Sequence, residues 1–432
     1  MSYKLNRRTF LRASSGLILP MSCLLDAQAT SAQSSDELNF IFVFNTGGWD
    51  PTRVFVDAFD EVNVDMEPQA QRNTLGDLVW VSHDNRPSVD AFFQQYASDV
   101  LFINGLQVRS ISHEICTSLA LTGGTSGGRA DWGTLIAANS KNTYPIPHLI
   151  LGGSSFAGEL GAYVARAGND AQLERLLDGS ILQQTNFSLE TLSESYNDRI
   201  DQHLQARNRA LAQRASSLPD SKERAFYESS GIAHQSLLEL KQYRHWVNFS
   251  QTQTLSSQVE IALDVFEHNL SRVVSLSHPG LLGGTTWDTH ADNDAQQSML
   301  FEQLFDALLT LKIGLGQRED RMGRALSSTT VVVVLSEMGR TPKLNGTLGK
   351  DHWPYSSMML WGPQLTTDRV VGGVDELYKG FPVDLSSGEI EEHSGELLMV
   401  ESIGAALLAL ADVDPKKGPS DAQIFRGIIH DL

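Results

Sequence analysis

The feature that most constrains the fold is a continuous run of β-branched and apolar residues, VVVVL, at positions 331–335. Such a run is typical of a strand in a parallel sheet with helices over both faces, because no position along it faces water. Strands of this kind deliver functional groups at their carboxyl ends. This run is followed by the candidate residues Ser336, Glu337, Gly339 and Arg340. The sequence therefore predicts an α/β fold with a functional site after this strand.

Carboxylate and imidazole side chains cluster in two segments that follow predicted strands. Residues 281–294, LLGGTTWDTHADND, carry Asp288 and His290 after a Gly-Gly turn, and the loop after the valine run carries Asp351 and His352. Proteins hold divalent metals with carboxylate oxygens and imidazole nitrogens. The pattern therefore indicates a divalent-metal site at the carboxyl ends of the strands.

A further carboxylate follows the first predicted strand. Residues 38–45, LNFIFVFN, form an apolar and aromatic run that stops at a glycine pair and Trp49-Asp50. This composition favours a buried strand, which places Asp50 at the same edge as the other candidates. The alternative is that Asp50, which precedes Pro51, caps the following turn.

Two candidates on the reacting side of the site follow another predicted strand, at residues 99–106. A short loop leads from this strand into a helix that begins near Ser112 and His113. Unpaired N–H groups at a helix N-terminus attract anions, so both residues are candidates for catalysis. The alternative is that Ser112 is an ordinary N-cap and His113 a first-turn residue.

Arg340 is a candidate for binding an anionic substrate. Its planar guanidinium can hold two oxygens of a phosphate or sulfate group. The alternative is a local salt bridge with Glu337 or Asp351, since arginine often pairs with a nearby carboxylate.

Composition and charge exclude several classes of function. The chain has 432 residues, 41% of them hydrophobic, and a formal net charge of −19. This length and apolar content suit an ordinary globular domain with a large core. An acidic surface repels polyanions, which argues against nucleic acid or an anionic membrane surface as a partner.

The first 32 residues have the pattern of a twin-arginine signal peptide. Asn6-Arg-Arg-Thr-Phe-Leu-Arg12 matches the export motif and precedes a short apolar run at residues 17–25. This run is too short to span a bilayer, and small residues suggest cleavage near Ala29 or Ala32. We expect a periplasmic or secreted protein without stable membrane insertion after cleavage. The alternative is an uncleaved N-terminal anchor.

Residues 33–432 are interpreted as one α/β domain that contains a helical insertion. From about residue 170 to 270 the composition changes to runs rich in Gln, Glu, Arg, Leu and Ala without glycine-rich strand ends. Such runs favour helices, which predicts a helical cap beside the sheet. Only Cys23 and Cys116 are present, so a mature chain without Cys23 can form no internal disulfide.

Four motifs, taken together with the export signal, resemble a widespread group of exported bacterial proteins described as a domain of unknown function. This group is related in fold to sulfatases and the alkaline phosphatase superfamily. The motifs are GGWD at 47–50, WDTH at 287–290, SEMGRTP at 336–342 and GKDHWP at 349–354. The resemblance implies an alkaline-phosphatase-like, mostly parallel sheet with helices on both faces, and hydrolysis assisted by one or two divalent metals.

The resemblance also implies a set of metal ligands. Asp50 resembles the strand-end aspartate of the superfamily, and Asp288 with His290 resembles its Asp-and-His pair, for which Asp292 is an alternative second member. Glu337 stands at the position of a ligating aspartate, and His352 resembles the late histidine ligand.

The sequence departs from the superfamily pattern at two places. Met338 stands where a histidine ligand is usual, and a thioether binds hard metals poorly, which favours one metal ion over two. His113 stands where the nucleophile is usual. Ser112 or Thr117 as nucleophile, a phosphorylated or metal-binding His113, and attack by metal-bound water are the alternatives.

The predicted function is an exported, metal-dependent hydrolase of phosphate or sulfate esters, acting on an anionic small molecule or polysaccharide ester. The competing hypothesis is a non-catalytic binding or assembly protein that retains the fold. It would bind a polysaccharide or partner through its helical cap, in a groove lined by aromatic residues such as Trp246 and Trp287. A third alternative is a phosphoryl- or sulfo-transferase or mutase.

Overall fold

The computed structural model describes residues 37–126, 128–167, 172–177, 194–217, 222–243, 247–249, 253–419 and 421–430. The predicted signal peptide at residues 1–32 lies outside the described residues, as do parts of the predicted insertion, so the export signal stays a prediction.

The strands are short and mostly buried. In chain order they are β1 (Asn39–Asn45), β2 (Gln71–Leu75), β3 (Leu78–Ser82), β4 (Val100–Gln107), β5 (His148–Ile150), β6 (Val164–Arg166), β7 (Val273–Ser277), β8 (Thr330–Ser336), β9 (Gly339–Arg340), β10 (His352–Trp353), β11 (Tyr355–Trp361), β12 (Arg369–Gly372), β13 (Pro382–Val383) and β14 (Glu396–Leu397).

The helices alternate with these strands. They are α1 (Pro87–Tyr96), α2 (His113–Thr122), α3 (Trp132–Ala138), α4 (Gln172–Leu177), α5 (Glu194–Ala215), α6 (Lys222–Lys241), α7 (Leu255–Glu267), α8 (Asn293–Gln317) and α9 (Val400–Leu410).

The central sheet has eight strands in the order β12-β4-β11-β8-β1-β7-β5-β6. The neighbours from β8 through β1, β7 and β5 to β6 are all parallel. Strand β11 is antiparallel to both β4 and β8, whereas β12 is parallel to β4. The predicted mostly parallel sheet is therefore confirmed.

The two central strands are buried on both faces, as the valine run predicts. Every residue of β1 and β8 is buried. Phe40, Phe42 and Phe44 pack into one hydrophobic cluster with α2, α3 and α9, whereas Ile41 and Val43 pack into the other with α1, α7 and α8. Full burial of each such side chain stabilises the fold by roughly 1.5–3 kcal/mol. The predicted helices on both faces are thus confirmed.

The helices around the predicted insertion divide into two groups. Helix α7 begins with a capping box made by Thr254 and Ser257, and its apolar side chains are buried in the core. It packs against α8 and β7, so it belongs to the layer over the sheet. Helices α5 and α6 pack against each other. Among the described residues, no helix combines the length and the apolar character needed to cross a membrane.

Candidate metal centre

Loops at the carboxyl ends of the parallel strands bring distant residues together. Strand β4 leads through a short loop to His113, the first residue of α2. The loop between β7 and α8 carries Asp288 and His290. Strand β9 pairs with β10 so that His352 lies opposite Arg340. The structure thereby assembles one site from segments that are far apart in the sequence.

The carboxylate of Asp288 is the centre of this site. Its Oδ1 atom lies 3.1 Å from the Nε2 atoms of both His290 and His352, and 3.5 Å from Nε2 of His113. The Nε2 atoms of His290 and His352 are 3.1 Å apart. The possible ligand atoms of His113, Asp288 and His352 all lie within 4.8 Å of one another. Three imidazoles therefore surround one carboxylate oxygen.

Each imidazole is anchored through its other ring nitrogen, Nδ1, to an oxygen acceptor. The contacts are His113 to Oε1 of Glu337 at 2.9 Å, His352 to the carbonyl oxygen of Ile111 at 2.8 Å, and His290 to Oδ1 of Asp351 at 2.9 Å. In a neutral imidazole, the ring nitrogen that faces a carbonyl or carboxylate carries the proton, so the lone pair lies on Nε2. In their neutral forms the three imidazoles therefore direct lone pairs at Asp288.

This arrangement fits a metal ion. Nε2 of His113 is buried and has no hydrogen-bond partner among the described residues. Buried polar atoms are nearly always satisfied, and lone pairs that converge on a carboxylate repel it unless a cation lies between them. Metal-bound histidines typically donate their second nitrogen to a carboxylate or carbonyl, as these three do. A donor set of three nitrogens and one oxygen suits zinc or a similar transition metal, whereas calcium takes oxygen ligands.

The charges of the site keep its central carboxylate ionised. Burial alone would raise the pKa of Asp288, but hydrogen bonds from Arg340 and, when Nε2 carries a proton in the metal-free chain, from His352 lower this pKa to about 2. For His113, the hydrogen bond to Glu337 raises the pKa above its ordinary value, and partial burial opposes that effect. An ionised carboxylate is the form that a divalent cation binds.

Glu337 occupies a supporting position instead of the predicted place among the ligands. The side chain is fully buried, and its Oε1 atom accepts hydrogen bonds from the backbone N–H of Gly47, at 2.7 Å, and from His113. Its Oε2 atom accepts one from the hydroxyl of Ser336 at 3.0 Å. Because these donors engage both oxygens, Glu337 orients His113, and Nε2 of His113 is the candidate ligand atom in place of the Glu337 carboxylate.

Asp50 is separated from the histidine cluster by its own partners. The fully buried carboxylate lies 2.8 Å from Nζ of Lys350 and accepts hydrogen bonds from Thr52 and from Asn293, at 2.7 and 2.9 Å. Burial alone would raise the pKa of Asp50, but the charges of Lys350 and Arg53 hold it well below its ordinary value. Asp50 also accepts from the N–H of Thr52, which is the turn-capping role that the sequence left open. The structure therefore does not bring Asp50 into the candidate ligand set.

Arg340 supports Asp288 and is buried away from solvent. Its Nη2 donates to Oδ1 of Asp288 at 2.7 Å and to the carbonyl of Trp287 at 3.0 Å. The same guanidinium donates to the carbonyl oxygens of Gly47, Gly48 and Lys350. The salt bridge is thus made with Asp288 instead of Glu337 or Asp351. Because its donors are engaged, Arg340 positions a candidate ligand instead of binding a substrate anion as predicted.

Ser112 directly precedes His113 in the chain. It occupies the N-cap position of α2, is exposed, and makes no side-chain capping hydrogen bond. By contrast, Thr117, the other candidate hydroxyl, is buried. Met338, which stands where a histidine ligand is usual, is also buried. Ser112 therefore remains the accessible hydroxyl among the predicted nucleophiles.

The fold and the site define an α/β protein with a candidate metal centre at the carboxyl ends of its parallel strands. The chain belongs to the family described as "Protein of unknown function (DUF1501)", which matches residues 39–382. The resemblance to a family of unknown function is therefore confirmed. A comparison of the sequence with curated proteins gives no significant match.

Several solved structures are similar to the chain at low identity. One, from work on glycosaminoglycan metabolism by Bacteroides thetaiotaomicron, has 11% identity and a TM-score of 0.40, with 90% of this chain and 76% of that chain covered. A protein in the alkaline phosphatase superfamily from Vibrio parahaemolyticus has 10% identity and a TM-score of 0.34, with 89% and 69% covered. The zinc complex of the C-terminal periplasmic domain of EcEptC from Escherichia coli has 9% identity and a TM-score of 0.33, with 76% and 73% covered. These similarities assign no activity to this chain.

Gly349 provides a test of the geometry around His290. A Cβ atom at Gly349 would lie 2.0 Å from the carbonyl carbon and oxygen of His290, so Gly349→Ala must displace that backbone. We expect zinc affinity, measured by chelator competition, to fall by about 10-fold or more, as when support around a ligand is lost. Gly346→Ala is the matched control, because nothing lies within 4 Å of its added methyl group. Equal affinities of the two variants would contradict a ligand role for His290.

His278, which contacts Trp287 next to Asp288, provides a pH-dependent test of this part of the structure. This imidazole contacts Gln303 and accepts a hydrogen bond from the indole N–H of Trp287, and burial lowers its pKa to about 4. In the unfolded chain its pKa is about 6.5, so the unfolded state binds the proton first as the pH falls. We expect this group to reduce the free energy of unfolding by roughly 3 kcal/mol between pH 6.5 and 4.

Denaturant unfolding of a His278→Asn variant across this range checks that expectation. The variant should lose the part of the slope that His278 contributes, whereas His393→Asn, at an exposed position, should keep the native slope. A His278→Asn chain with the full native slope would show that His278 does not contribute to it.

Proposed function

We propose that this chain is an exported hydrolase of phosphate or sulfate esters that depends on one divalent metal ion, held by His113, Asp288, His290 and His352. The observation that carries the proposal is the convergence of three Nε2 atoms on one carboxylate oxygen, with every Nδ1 anchored to an acceptor. This is the arrangement that a catalytic or structural zinc site requires.

The residues around that centre have different roles. When bound, the metal would supply a Lewis acid that stabilises negative charge on the ester and activates water near neutral pH. Glu337 and Asp351 hold protons on Nδ1 of His113 and His290 and so make their Nε2 atoms better donors. Arg340 fixes the carboxylate of Asp288. Ser112, the residue before His113, offers an exposed hydroxyl.

The solvent exposure of the cluster favours an active site over a closed structural site. The side chains of His113, Asp288 and His290 are 35%, 38% and 47% exposed. A substrate can therefore reach the cluster, which lies on the surface at the strand ends. Hydrolases of this kind need an open coordination position for substrate or water.

Elemental analysis and an ester panel test the proposal directly. The full chain, produced in a host that exports it, should carry about one zinc-like ion per molecule, as a single centre requires. His352→Ala should remove most of the metal and any hydrolysis of phosphate and sulfate esters, whereas the exposed His393→Ala should change neither. A metal-free native protein, or hydrolysis unaffected by His352→Ala, would rule the proposal out.

A non-catalytic protein with a structural metal is the second candidate, because three imidazoles converge on the carboxylate of Asp288 and structural zinc sites are closed. Cobalt substitution separates the two. Added phosphate or sulfate should change the visible spectrum of the cobalt form if the centre has an open position. An unchanged spectrum at saturating anion would favour the structural role.

Export by the twin-arginine route is also part of the proposal. The paired arginines Arg7 and Arg8 carry it, since this route recognises the pair as an address. Substitution of both by lysine keeps the charge, and we expect the precursor to accumulate inside the cell, as measured by fractionation and immunoblotting. Unchanged export of the Lys-Lys variant would contradict this route.

A further inference from the structure

The segments that build the metal centre contain few cations, and each of them is paired. Residues 108–122, 278–292 and 336–353 hold Arg109, Arg340, Lys343 and Lys350 as their Lys and Arg residues. Each forms a salt bridge with an acidic residue; the partners are Glu401, Asp288, Asp65 and Asp50, respectively. These segments therefore offer no uncommitted cationic side chain to a bound anion.

The charges at the centre do not compensate a doubly charged ligand. Asp288, Glu337 and Asp351 are acidic and contact the imidazoles, whereas Arg340 is the cation that contacts Asp288. A divalent metal would bring the sum of these formal charges to zero, so each negative charge on a ligand would go uncompensated. The chain as a whole carries −19. A dianion would meet little compensating charge here, because a like-signed surrounding field opposes it.

Exposed apolar side chains lie beside the ligands. Ile111 is 57% exposed, and its carbonyl holds the ring of His352. Leu348 is 62% exposed and forms a β-bridge with Ala291, the neighbour of His290. Large apolar side chains exposed next to a polar site are typical of surfaces that contact an apolar ligand group.

We propose that the ligand of this centre is a tetrahedral monoanion that carries an apolar or aromatic group, such as a sulfate ester or a phosphodiester, and not the dianion of a phosphate monoester. This inference rests on the proposed function and narrows its substrate class. Because the nearby cations are already paired with carboxylates, a second negative charge on the ligand would be uncompensated. Ile111 and Leu348 contact the apolar group of the ligand.

Two ligands of nearly equal shape and different charge test the charge selection. Benzenesulfonate is a monoanion, and phenylphosphonate is a dianion at pH 8.5. Calorimetric titration of each into the full zinc-loaded chain should give at least about 10-fold tighter binding of benzenesulfonate, equivalent to 1.4 kcal/mol.

The monomethyl ester of phenylphosphonate is a phosphorus monoanion, and its affinity relative to benzenesulfonate distinguishes a phosphodiester from a sulfate ester as the source. Tighter binding of phenylphosphonate, or no binding of any of the three, would overturn the inference.

Leu348 allows a test of the apolar contact without backbone strain. Its φ angle is 59°, a left-handed conformation that asparagine tolerates better than leucine. Leu348→Asn should weaken benzenesulfonate by roughly 5-fold and leave methanesulfonate, which lacks the ring, unchanged. Equal affinity of the native chain for these two sulfonates would overturn the apolar part of the inference.

Zinc content, measured on the same samples, separates this inference from the proposed function. A chain that binds no zinc would overturn both. A chain that binds zinc and hydrolyses esters but prefers the dianion would leave the proposed function standing and overturn the charge selection alone.

Discussion

Asp288→Ala is expected to reduce the metal content of the chain from about one ion per molecule to a small fraction of that, and to abolish any ester hydrolysis. Asp288 is the one anionic donor among the proposed ligands, and its Oδ1 atom is the point on which the three Nε2 atoms converge. Loss of the carboxylate removes both a ligand and the charge that balances the cation. Elemental analysis and hydrolysis of the ester panel check the two expectations together.

The same substitution has a second cost, because Arg340 is fully buried and loses its carboxylate partner. An uncompensated buried charge typically destabilises a protein by about 3–5 kcal/mol, although the carbonyl acceptors of Arg340 should reduce this figure. Asp288→Asn keeps a hydrogen-bond acceptor for Arg340, so it should fold better and still lose the metal. Loss of stability with full metal retention would show that Asp288 is structural.

Asp351→Asn is the graded control for this prediction. Asp351 anchors Nδ1 of His290 and is not itself in the proposed ligand set. Its substitution should weaken metal binding by about 10- to 100-fold without removing it. An Asp351 variant as defective as the Asp288 variant would mean that His290 and Asp351 act as one ligand unit.

The architecture could be predicted from the sequence because it depends on local patterns. The run at residues 331–335 has no polar position, so it had to be covered on both faces, and it became the buried β8. Likewise, Leu300, Leu304 and Leu308 repeat at helical spacing, and all are buried in α8. The periodicity of apolar residues shows which side of a helix or strand is buried in the core. That information is sufficient to predict the class of fold.

The identity of the site residues depended on long-range contacts that no local pattern reports. The sequence placed Glu337 and His352 after predicted strands. It did not show that the carboxylate of Glu337 would accept hydrogen bonds from Gly47 and His113. Only the pairing of β9 with β10 and the entry of α2 put His113 opposite His352, with ring centroids 4.4 Å apart. One indication in the sequence that His113 belongs to the site was its position at the start of a helix that follows a strand.

Lys350 was overlooked for a similar reason. A lysine next to Asp351 and His352 in a glycine-containing loop resembles a surface residue, since lysine is rarely buried. In the structure it is fully buried and reaches Asp50, which lies 300 residues earlier in the chain. A buried ammonium beside a carboxylate supplies the positive charge that a metal would otherwise bring, so the expectation that Asp50 binds a metal lost its physical basis.

The role of Lys350 leads to the second large expected effect, which is on stability. Lys350→Met should lower the free energy of unfolding by about 3–5 kcal/mol, because it leaves the buried carboxylate of Asp50 without its closest cation. Arg53 lies 3.4 Å from the same carboxylate, which places the expectation toward the lower end of that range. Chemical denaturation of the metal-free chain at pH 7 measures the effect without a contribution from metal binding.

Lys343→Met is the matched control, because Lys343 lies on the same loop and forms an exposed salt bridge with Asp65. An exposed pair contributes at most about 1 kcal/mol, so this variant should unfold close to the native chain. The double variant Asp50→Asn/Lys350→Met should recover part of the loss, since it removes the unpaired charge together with its partner. If the double variant were less stable by the full sum of the two single losses, the ammonium and the carboxylate would not be coupled. Lys350 would then stabilise the loop through packing, and Asp50 would again be available to a cation.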